Sequence, residues 1–270
     1  MTLLSVENLR VSAPGGELVH GVTFTLQPGE RLGLVGESGS GKSLTAMSVV
    51  GLLAAGLRAG GSILLDGRQM VGQPDRRIVP LRGAVASVVF QDPRSALDPL
   101  MRLGRQLAAP IRRRAAREGR GLTAAALRAE QARWLERVAI TDPGRILDAY
   151  PHEVSGGQRQ RVAIAMALAC GPRLLIADEP TTALDVTTQA EVLDLLDGLV
   201  RSEGLALLFI SHDLPVVARI TDRVIVMRQG GVVETGPARR VFTEPRHDYT
   251  KTLLGAARRL EAALNPEAAP

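Results

Sequence analysis

The stretch GESGSGKS, from Gly36 to Ser43, most constrains the fold of this chain. It follows the apolar segment RLGLV and precedes a segment with helical spacing. A strand that leads through a glycine-rich turn into a helix brings successive backbone N–H groups and the helix N-terminus to one point, where they bind phosphate. The stretch therefore predicts an α/β fold with a nucleoside triphosphate site after an early strand.

The lysine of this stretch, Lys42, is one of only two lysines, whereas 31 of the 33 basic residues are arginine. We interpret it as kept for geometry, because an ammonium reaches the β- and γ-phosphates as a compact charge where a planar guanidinium would not fit. The hydroxyl of Ser43 is predicted to bind Mg²⁺. The predicted nucleotide contacts here are Gly36, Glu37, Ser38, Gly39, Ser40, Gly41, Lys42, Ser43 and Leu44. Kinases, GTPases, helicases and motors share this motif, so it leaves the class open.

Apolar strands and helices alternate along the chain, which predicts a mostly parallel sheet covered by helices. The first helix is expected to stop near Gly56 and the Gly60–Gly61 pair. An antiparallel β subdomain and an inserted α-helical subdomain complete the predicted fold. The predicted division is 1–94 with 158–235 as the nucleotide-binding core, 95–157 as the helical subdomain, and 236–270 as a helical segment whose tail after Asn265 is disordered.

The composition of the chain and the distribution of its apolar residues bear on several classes of protein, among them membrane-spanning, secreted and disulfide-linked ones. No apolar run approaches the roughly 18 residues that span a bilayer, and the N-terminus lacks the pattern of a signal peptide, so a cytosolic chain is expected. The net charge of +5 suggests a nucleic acid partner, whereas aromatic residues make up only 3% and stacking platforms are scarce. Composition alone therefore does not decide the partners, although no nucleic acid partner is expected. The basic run Arg112 to Arg120 is interpreted as the solvated face of a helix. The lone Cys170 excludes an internal disulfide and is interpreted as a buried hydrophobe.

Two acidic residues end the apolar segment RLLIADEP. Asp178 is placed to hold the Mg²⁺ shell, and Glu179 is placed to orient or deprotonate an attacking water. A further stretch, VSGGQRQRVAIAMALA, sets Ser155, Gly156 and Gly157 just before a long helix, which predicts a second phosphate-binding helix end. Two such ends in one chain require either two ligands or a second subunit.

These motifs together resemble the ABC ATPases over nearly the whole chain. The resemblance implies that two ATPase domains enclose two ATP molecules, each held by the phosphate loop of one and the S-G-G-Q segment, Ser155 to Gln158, of the other. It also implies that Gln91 of VVFQDP senses Mg²⁺ and a transmembrane partner, that Asp185 of TTALDV crosses the dimer interface, and that His212 of FISHDL contacts the γ-phosphate. Glu179, His212, Lys42 and Gln91 are thus the predicted catalytic residues.

One departure from the family pattern concerns the adenine. The family usually has an aromatic residue near VSAPGG, where this chain has Ala13 and Pro14. The group that contacts adenine is therefore left open, with ATP and Mg²⁺ as the predicted ligands. The remaining histidines, His20, His152 and His247, lack a comparable setting and are interpreted as structural or surface residues.

Three stretches make the resemblance more specific, because they look like those of the oligopeptide, dipeptide and nickel importer group. They are FQDPRSALDP, YPHEVSGGQRQRVAIAMALA and EPRHDYTKTLLGA. The resemblance implies a peripheral ATPase on the cytoplasmic face of the membrane, docked on two permease subunits and served indirectly by a solute-binding protein. The absence of a cysteine-rich extension favours the shorter, nickel-importer-like branch. A soluble ABC ATPase that acts on nucleic acid or a protein complex is the alternative. The cargo stays open, as does whether the second ATPase is a paralogue or a second copy.

Overall fold

The computed structural model describes residues 1–182 and 184–264, without the side chains of Val186, Arg258 and residues 260–264. The predicted disordered tail after Asn265 lies outside the described residues. The strands in chain order are β1 (Leu4–Ala13), β2 (Gly16–Leu26), β3 (Arg31–Val35), β4 (Arg58–Leu65), β5 (Arg68–Gln69), β6 (Ala86–Val89), β7 (Leu174–Asp178), β8 (Ala206–Ile210), β9 (Arg223–Arg228) and β10 (Gly231–Pro237). The helices are α1 (Lys42–Val50), α2 (Asp75–Ile78), α3 (Pro93–Ala96), α4 (Leu103–Arg117), α5 (Ala124–Arg137), α6 (Pro143–Asp148), α7 (Gly156–Ala169), α8 (Val186–Ser202), α9 (Leu214–Ile220), α10 (Ala238–Thr243) and α11 (Asp248–Leu264).

Two compact units divide the chain, and each is described by itself. The first unit comprises residues 1–74 and 207–270, and the second comprises residues 75–206. The predicted helical stretch 95–157 contains α4, α5, α6 and a 3₁₀ turn at Pro151–Glu153, with no strand. The predicted boundaries of the three subdomains stay a prediction.

The first unit holds two sheets. In one, β3 lies between β8 and β9 and pairs with both in parallel, while β10 pairs with β9 antiparallel. In the other, β2, β1, β4 and β5 lie side by side in that order and are antiparallel throughout. The parallel core and the antiparallel β subdomain predicted from the sequence are therefore confirmed.

The burial of the strands follows their sequence patterns. All five residues of β8 are buried, as are four of the five in β3, which fits strands covered on both faces. In β1 the buried residues Leu4, Val6, Leu9 and Val11 alternate with exposed ones, as in a strand with one face in a core.

The second unit pairs β6 with β7 in parallel and packs helices around this pair. One face of α5 is apolar and packs inward, since Leu127, Trp134 and Leu135 are buried together with Val138 at the C-cap. The basic run is confirmed as a solvated face, since Arg112, Arg113 and Arg117 of α4 are exposed. Cys170 is 8% exposed, and burial raises the pKa of its thiol, which fits a small buried hydrophobe. No helix among the described residues is long and apolar enough to cross a bilayer.

One predicted helix end was wrong. Helix α1 ends at Val50 rather than near Gly56, because Gly51 adopts a left-handed conformation and its N–H returns to the carbonyls of Met47 and Ser48. The Gly60–Gly61 pair lies inside β4 instead of closing the helix.

The contact between α4 and α6 gives a stability prediction. A Cβ atom on Gly104 would lie 2.6 Å from the backbone oxygen of Leu147, so we expect Gly104→Ala to lower the free energy of unfolding by about 1–3 kcal/mol. The matched control is Gly198→Ala in α8, where nothing lies within 4 Å and a gain of about 0.4–1 kcal/mol is expected. Urea unfolding of both variants measures the difference, and a Gly104→Ala variant as stable as the wild type would contradict the close packing.

Candidate active site

The phosphate loop runs from the end of β3 to the start of α1 in the first unit. Gly36 has a φ of 147°, and a Cβ atom there would collide with the carbonyl oxygen of Met227 in β9. Gly41, the residue before α1, has a φ of 95° in the left-handed region that favours glycine. The two glycines at the ends of the loop are thus required by a close approach and by a backbone conformation, as the motif predicts.

Lys42 begins α1 and is only 5% exposed. Its Nζ donates hydrogen bonds of 2.8 Å to the carbonyl oxygens of Gly36 and Glu37. These two carbonyl oxygens hold the ammonium within the loop. The loop thereby presents a fixed positive charge beside the N-terminus of a helix, which suits an anion.

The hydroxyl of Ser40 supports the fit of an anionic ligand. Ser40 is 2% exposed, and its Oγ is buried without a hydrogen-bond partner. An unpaired hydroxyl at this depth is costly, and a phosphate oxygen would accept its hydrogen bond. Ser43, in the first turn of α1, is exposed and carries the hydroxyl predicted to bind Mg²⁺.

The acidic pair lies in the second unit, where β7 ends. Asp178 closes the strand and is 8% exposed, and Glu179 follows with a φ of 46°, which is unusual for a residue with a side chain. The Oε2 atom of Glu179 accepts hydrogen bonds of 3.1 Å from Nε2 of Gln91 and from Oγ1 of Thr182. Two donors and a constrained backbone therefore fix this carboxylate.

Gln91 reaches Glu179 because of strand pairing. Val89 at the end of β6 is paired with Ala177 of β7 in a parallel ladder, so both chains leave the sheet at the same edge. The sequence motifs predict both residues as catalytic but do not include Thr182. Its position three residues after Glu179, in the turn TT that follows, is the signal that could have identified it.

The S-G-G-Q segment forms the start of α7 in the second unit. Ser155 is the N-cap, its Oγ accepts a hydrogen bond from the N–H of Gln158, and Oε1 of Gln158 accepts one from the N–H of Ser155. This reciprocal pair satisfies the third N–H of the helix and leaves those of Gly156 and Gly157 without an intrahelical acceptor. The glycines lie within the first turn rather than before it, and their N–H groups are the ones suited to an anion.

Two further predicted residues lie at the starts of helices. Asp185 is the N-cap of α8 and accepts a 3.0 Å hydrogen bond from the N–H of Thr188, and such bonds hold the pKa of its carboxyl below the usual value. His212 is an exposed residue in the loop between β8 and α9. Their assigned contacts, across a dimer interface and with the γ-phosphate, stay predictions.

The predicted residues are divided between the two units. The first unit contains the phosphate loop and His212, and the second contains Gln91, Asp178, Glu179, the S-G-G-Q segment and Asp185. Within the second unit the structure brings Gln91 and Glu179 into direct contact. Near the predicted adenine position, Ala13 ends β1 and pairs with Gly16 across the hairpin to β2. The side chain of Ala13 is a methyl group rather than an aromatic ring.

No group of three or more histidine, cysteine or acidic side chains that could hold a metal occurs within residues 1–182 and 184–264.

The fold and these motifs define an ABC cassette. A family model described as ABC transporter matches residues 19–182, and the chain belongs to the ABC transporter family as an ATP-binding, ATP-hydrolysing subunit. It is 47% identical over 264 residues to the oligopeptide transport ATP-binding protein OppD of Salmonella typhimurium, covering 96% of this chain and 77% of OppD. It is 44% identical over 265 residues to the dipeptide transport ATP-binding protein DppD of Bacillus subtilis, covering 96% and 78%.

Solved structures agree with this assignment. A dimeric post-hydrolysis state of the ATP-binding cassette MJ0796, bound to ADP and Pi, matches with a TM-score of 0.75 and 26% identity, covering 87% of this chain and 99% of that one. The cbiO1 subunit of the cbiONQ transporter from Clostridium perfringens matches with a TM-score of 0.73 and 25% identity, covering 98% and 99%. The predicted class, fold and ATPase activity are confirmed.

Proposed function

We propose that this chain is the ATPase subunit of a peptide importer, peripheral on the cytoplasmic face of the membrane. The observation that carries the proposal is its 47% identity, over 96% of its length, to an oligopeptide transport ATP-binding protein. The dipeptide transport relative points to the same class of cargo. The sequence also predicts import of nickel or metal chelates, and this stays a prediction.

The local geometry of each group supports the proposed nucleotide-binding roles. Lys42, the hydroxyl of Ser40 and the N–H groups of residues 36–44 other than those of Glu37 and Ser40, which donate within the protein, bind the β- and γ-phosphates of ATP. Ser43, Gln91 and Asp178 each carry an oxygen that would be a ligand of Mg²⁺, and the ion would neutralise charge on the phosphates. His212 adds a donor to the γ-phosphate.

Glu179 is the proposed catalytic carboxylate. Its Oε2 atom accepts hydrogen bonds from Gln91 and Thr182, so the carboxylate accepts a hydrogen bond from the attacking water in one fixed orientation. Gln91 donates to that same carboxylate, and a shift of Gln91 therefore changes the orientation of Glu179. In this proposal Gln91 couples contact with a permease to hydrolysis.

The proposed assembly contains two ATPase subunits and two permeases. The exposed first turn of α7 supports a role in trans, with Ser155 to Gln158 of one subunit and Asp185 completing the ATP site of the other. The dimeric cassette among the similar structures supports this pairing. The partner is a paralogue or a second copy, and a solute-binding protein delivers the cargo to the permeases.

Affinity capture from membranes tests the proposal. The tagged chain is purified from gently solubilised native membranes, and its partners are identified by mass spectrometry. We expect two polytopic permeases and, in a heterodimer, a second ATPase. Capture of soluble or DNA-bound partners alone would overturn the importer assignment.

A pair of surface variants sharpens this experiment. Leu100, in the loop between α3 and α4, is 88% exposed, which is unusual for a large apolar side chain, and we propose that it contacts a permease. Leu100→Ser is expected to reduce permease capture without loss of basal ATPase activity. Val232→Ser in β10, 37% exposed in the first unit, is the matched control and is expected to retain capture.

A further inference from the structure

Tyr249, near the start of α11, contacts the phosphate loop directly. The residue is 6% exposed, and its hydroxyl oxygen accepts a 3.1 Å hydrogen bond from the backbone N–H of Glu37. Burial raises the pKa of this phenol above its usual value, so the hydroxyl stays neutral at physiological pH. Tyr249 is not among the site residues predicted from the sequence.

The N–H of Glu37, which donates to Tyr249, belongs to the same peptide group as the carbonyl of Gly36. A trans peptide is planar, and its N–H and C=O point to opposite sides. The carbonyl of Gly36 accepts the 2.8 Å hydrogen bond from Nζ of Lys42. One peptide plane is therefore held by Tyr249 on one side and holds Lys42 on the other, and linked hydrogen bonds of this kind strengthen each other.

The plane of the Gly36–Glu37 peptide is prone to rotate because it follows a glycine. Gly36 has no Cβ atom, so steric hindrance limits rotation of the plane less than at other residues. If the plane rotated, its carbonyl would leave Lys42 and its N–H would point elsewhere in the loop. The hydroxyl of Tyr249 opposes this rotation.

Tyr249 is itself held firmly. The guanidinium carbon of Arg228 lies 4.9 Å from the centroid of its ring, within the range of a cation–π contact. Its backbone N–H donates to Nδ1 of His247 at 3.1 Å. The carboxylate of Glu234, 8% exposed, accepts hydrogen bonds of 3.0 Å from the N–H groups of Arg246 and His247. The segment before α11 is thus fixed to β9 and β10, the strands that carry Arg228 and Glu234.

We propose that Tyr249 is a positioning residue of the nucleotide site, which acts through the Gly36–Glu37 peptide to orient Lys42. The inference deepens the proposed function and rests on it, since it takes Lys42 as the ligand of the phosphates. Tyr249 does not touch the nucleotide in this scheme. It lowers the cost of ordering the loop, so its effect falls on ATP affinity more than on the chemical step.

The test is Tyr249→Phe in the full chain, with MgATP as the ligand. Loss of one hydrogen bond is expected to raise the Kd and the KM for ATP about three- to tenfold, with kcat changed less than about twofold. The amide of Glu37, followed by hydrogen exchange in NMR spectra without nucleotide, is expected to lose protection. Thr252→Val is the matched control, because it removes a hydroxyl that donates to the carbonyl of Asp248 on the same helix and leaves the loop untouched.

The outcomes distinguish the positioning role of Tyr249 from the nucleotide-binding role of Lys42. A raised KM with loss of protection at Glu37, absent in Thr252→Val, supports the inference. An unchanged KM in Tyr249→Phe, while Lys42→Ala loses ATP binding, overturns the inference and leaves the proposed function intact. Equal loss of affinity in Tyr249→Phe and Thr252→Val also overturns it, since that result indicates general weakening of α11. Retention of ATP binding by Lys42→Ala would instead overturn the nucleotide assignment.

Discussion

Glu179→Gln is expected to bind MgATP with nearly wild-type affinity and to hydrolyse it about 10²–10⁴-fold more slowly. Glutamine has the same shape, so the contacts with Gln91 and Thr182 and the unusual backbone of this residue can persist. What is lost is a carboxylate that can accept a proton from water. Equilibrium ATP binding and steady-state phosphate release measure the two effects separately.

The control for this variant is Glu191→Gln. Glu191 is an exposed carboxylate of α8 in the same unit, paired with Arg161 at 2.8 Å, and lies outside the proposed active site. It is expected to hydrolyse ATP at the wild-type rate. Turnover near the wild-type level in Glu179→Gln would remove Glu179 from the catalytic role.

Lys42→Ala and Lys42→Arg are both expected to lower kcat/KM for ATP by about 10²–10³-fold. The alanine variant removes the charge that the loop presents. The arginine variant keeps the charge, but the ammonium of Lys42 is buried and lies 2.8 Å from two carbonyl oxygens of the loop, where a planar guanidinium does not fit. Steady-state ATPase assays of both purified variants provide the measurement.

Lys251→Arg is the matched control, because Lys251 is the only other lysine of the chain. It is exposed on α11 and pairs with Asp248 at 2.8 Å, an arrangement that arginine can also make. No change in turnover is expected. Full activity of Lys42→Arg would show that lysine at this position reflects composition rather than geometry.

The phosphate loop and the S-G-G-Q segment were predictable because their geometry is local. Gly36 and Gly41 adopt positive φ angles, which favour glycine, and Ser155 and Gln158 form a reciprocal cap within four residues. Patterns of this length determine backbone conformation with little help from the rest of the chain. The end of α1 was missed because the apolar residues after Gly51 continue a helical pattern that the left-handed glycine stops.

The sequence alone determined the class of protein, the α/β fold and most of the side chains of the candidate site, because each motif combines residue types that only this local chemistry requires. Tertiary structure alone decided how these side chains are held. The contact between Gln91 and Glu179 joins residues 88 positions apart, and that between Tyr249 and Glu37 joins residues 212 apart. Such contacts depend on the register of paired strands and on where a distant helix docks, which long-range packing determines and no local pattern encodes.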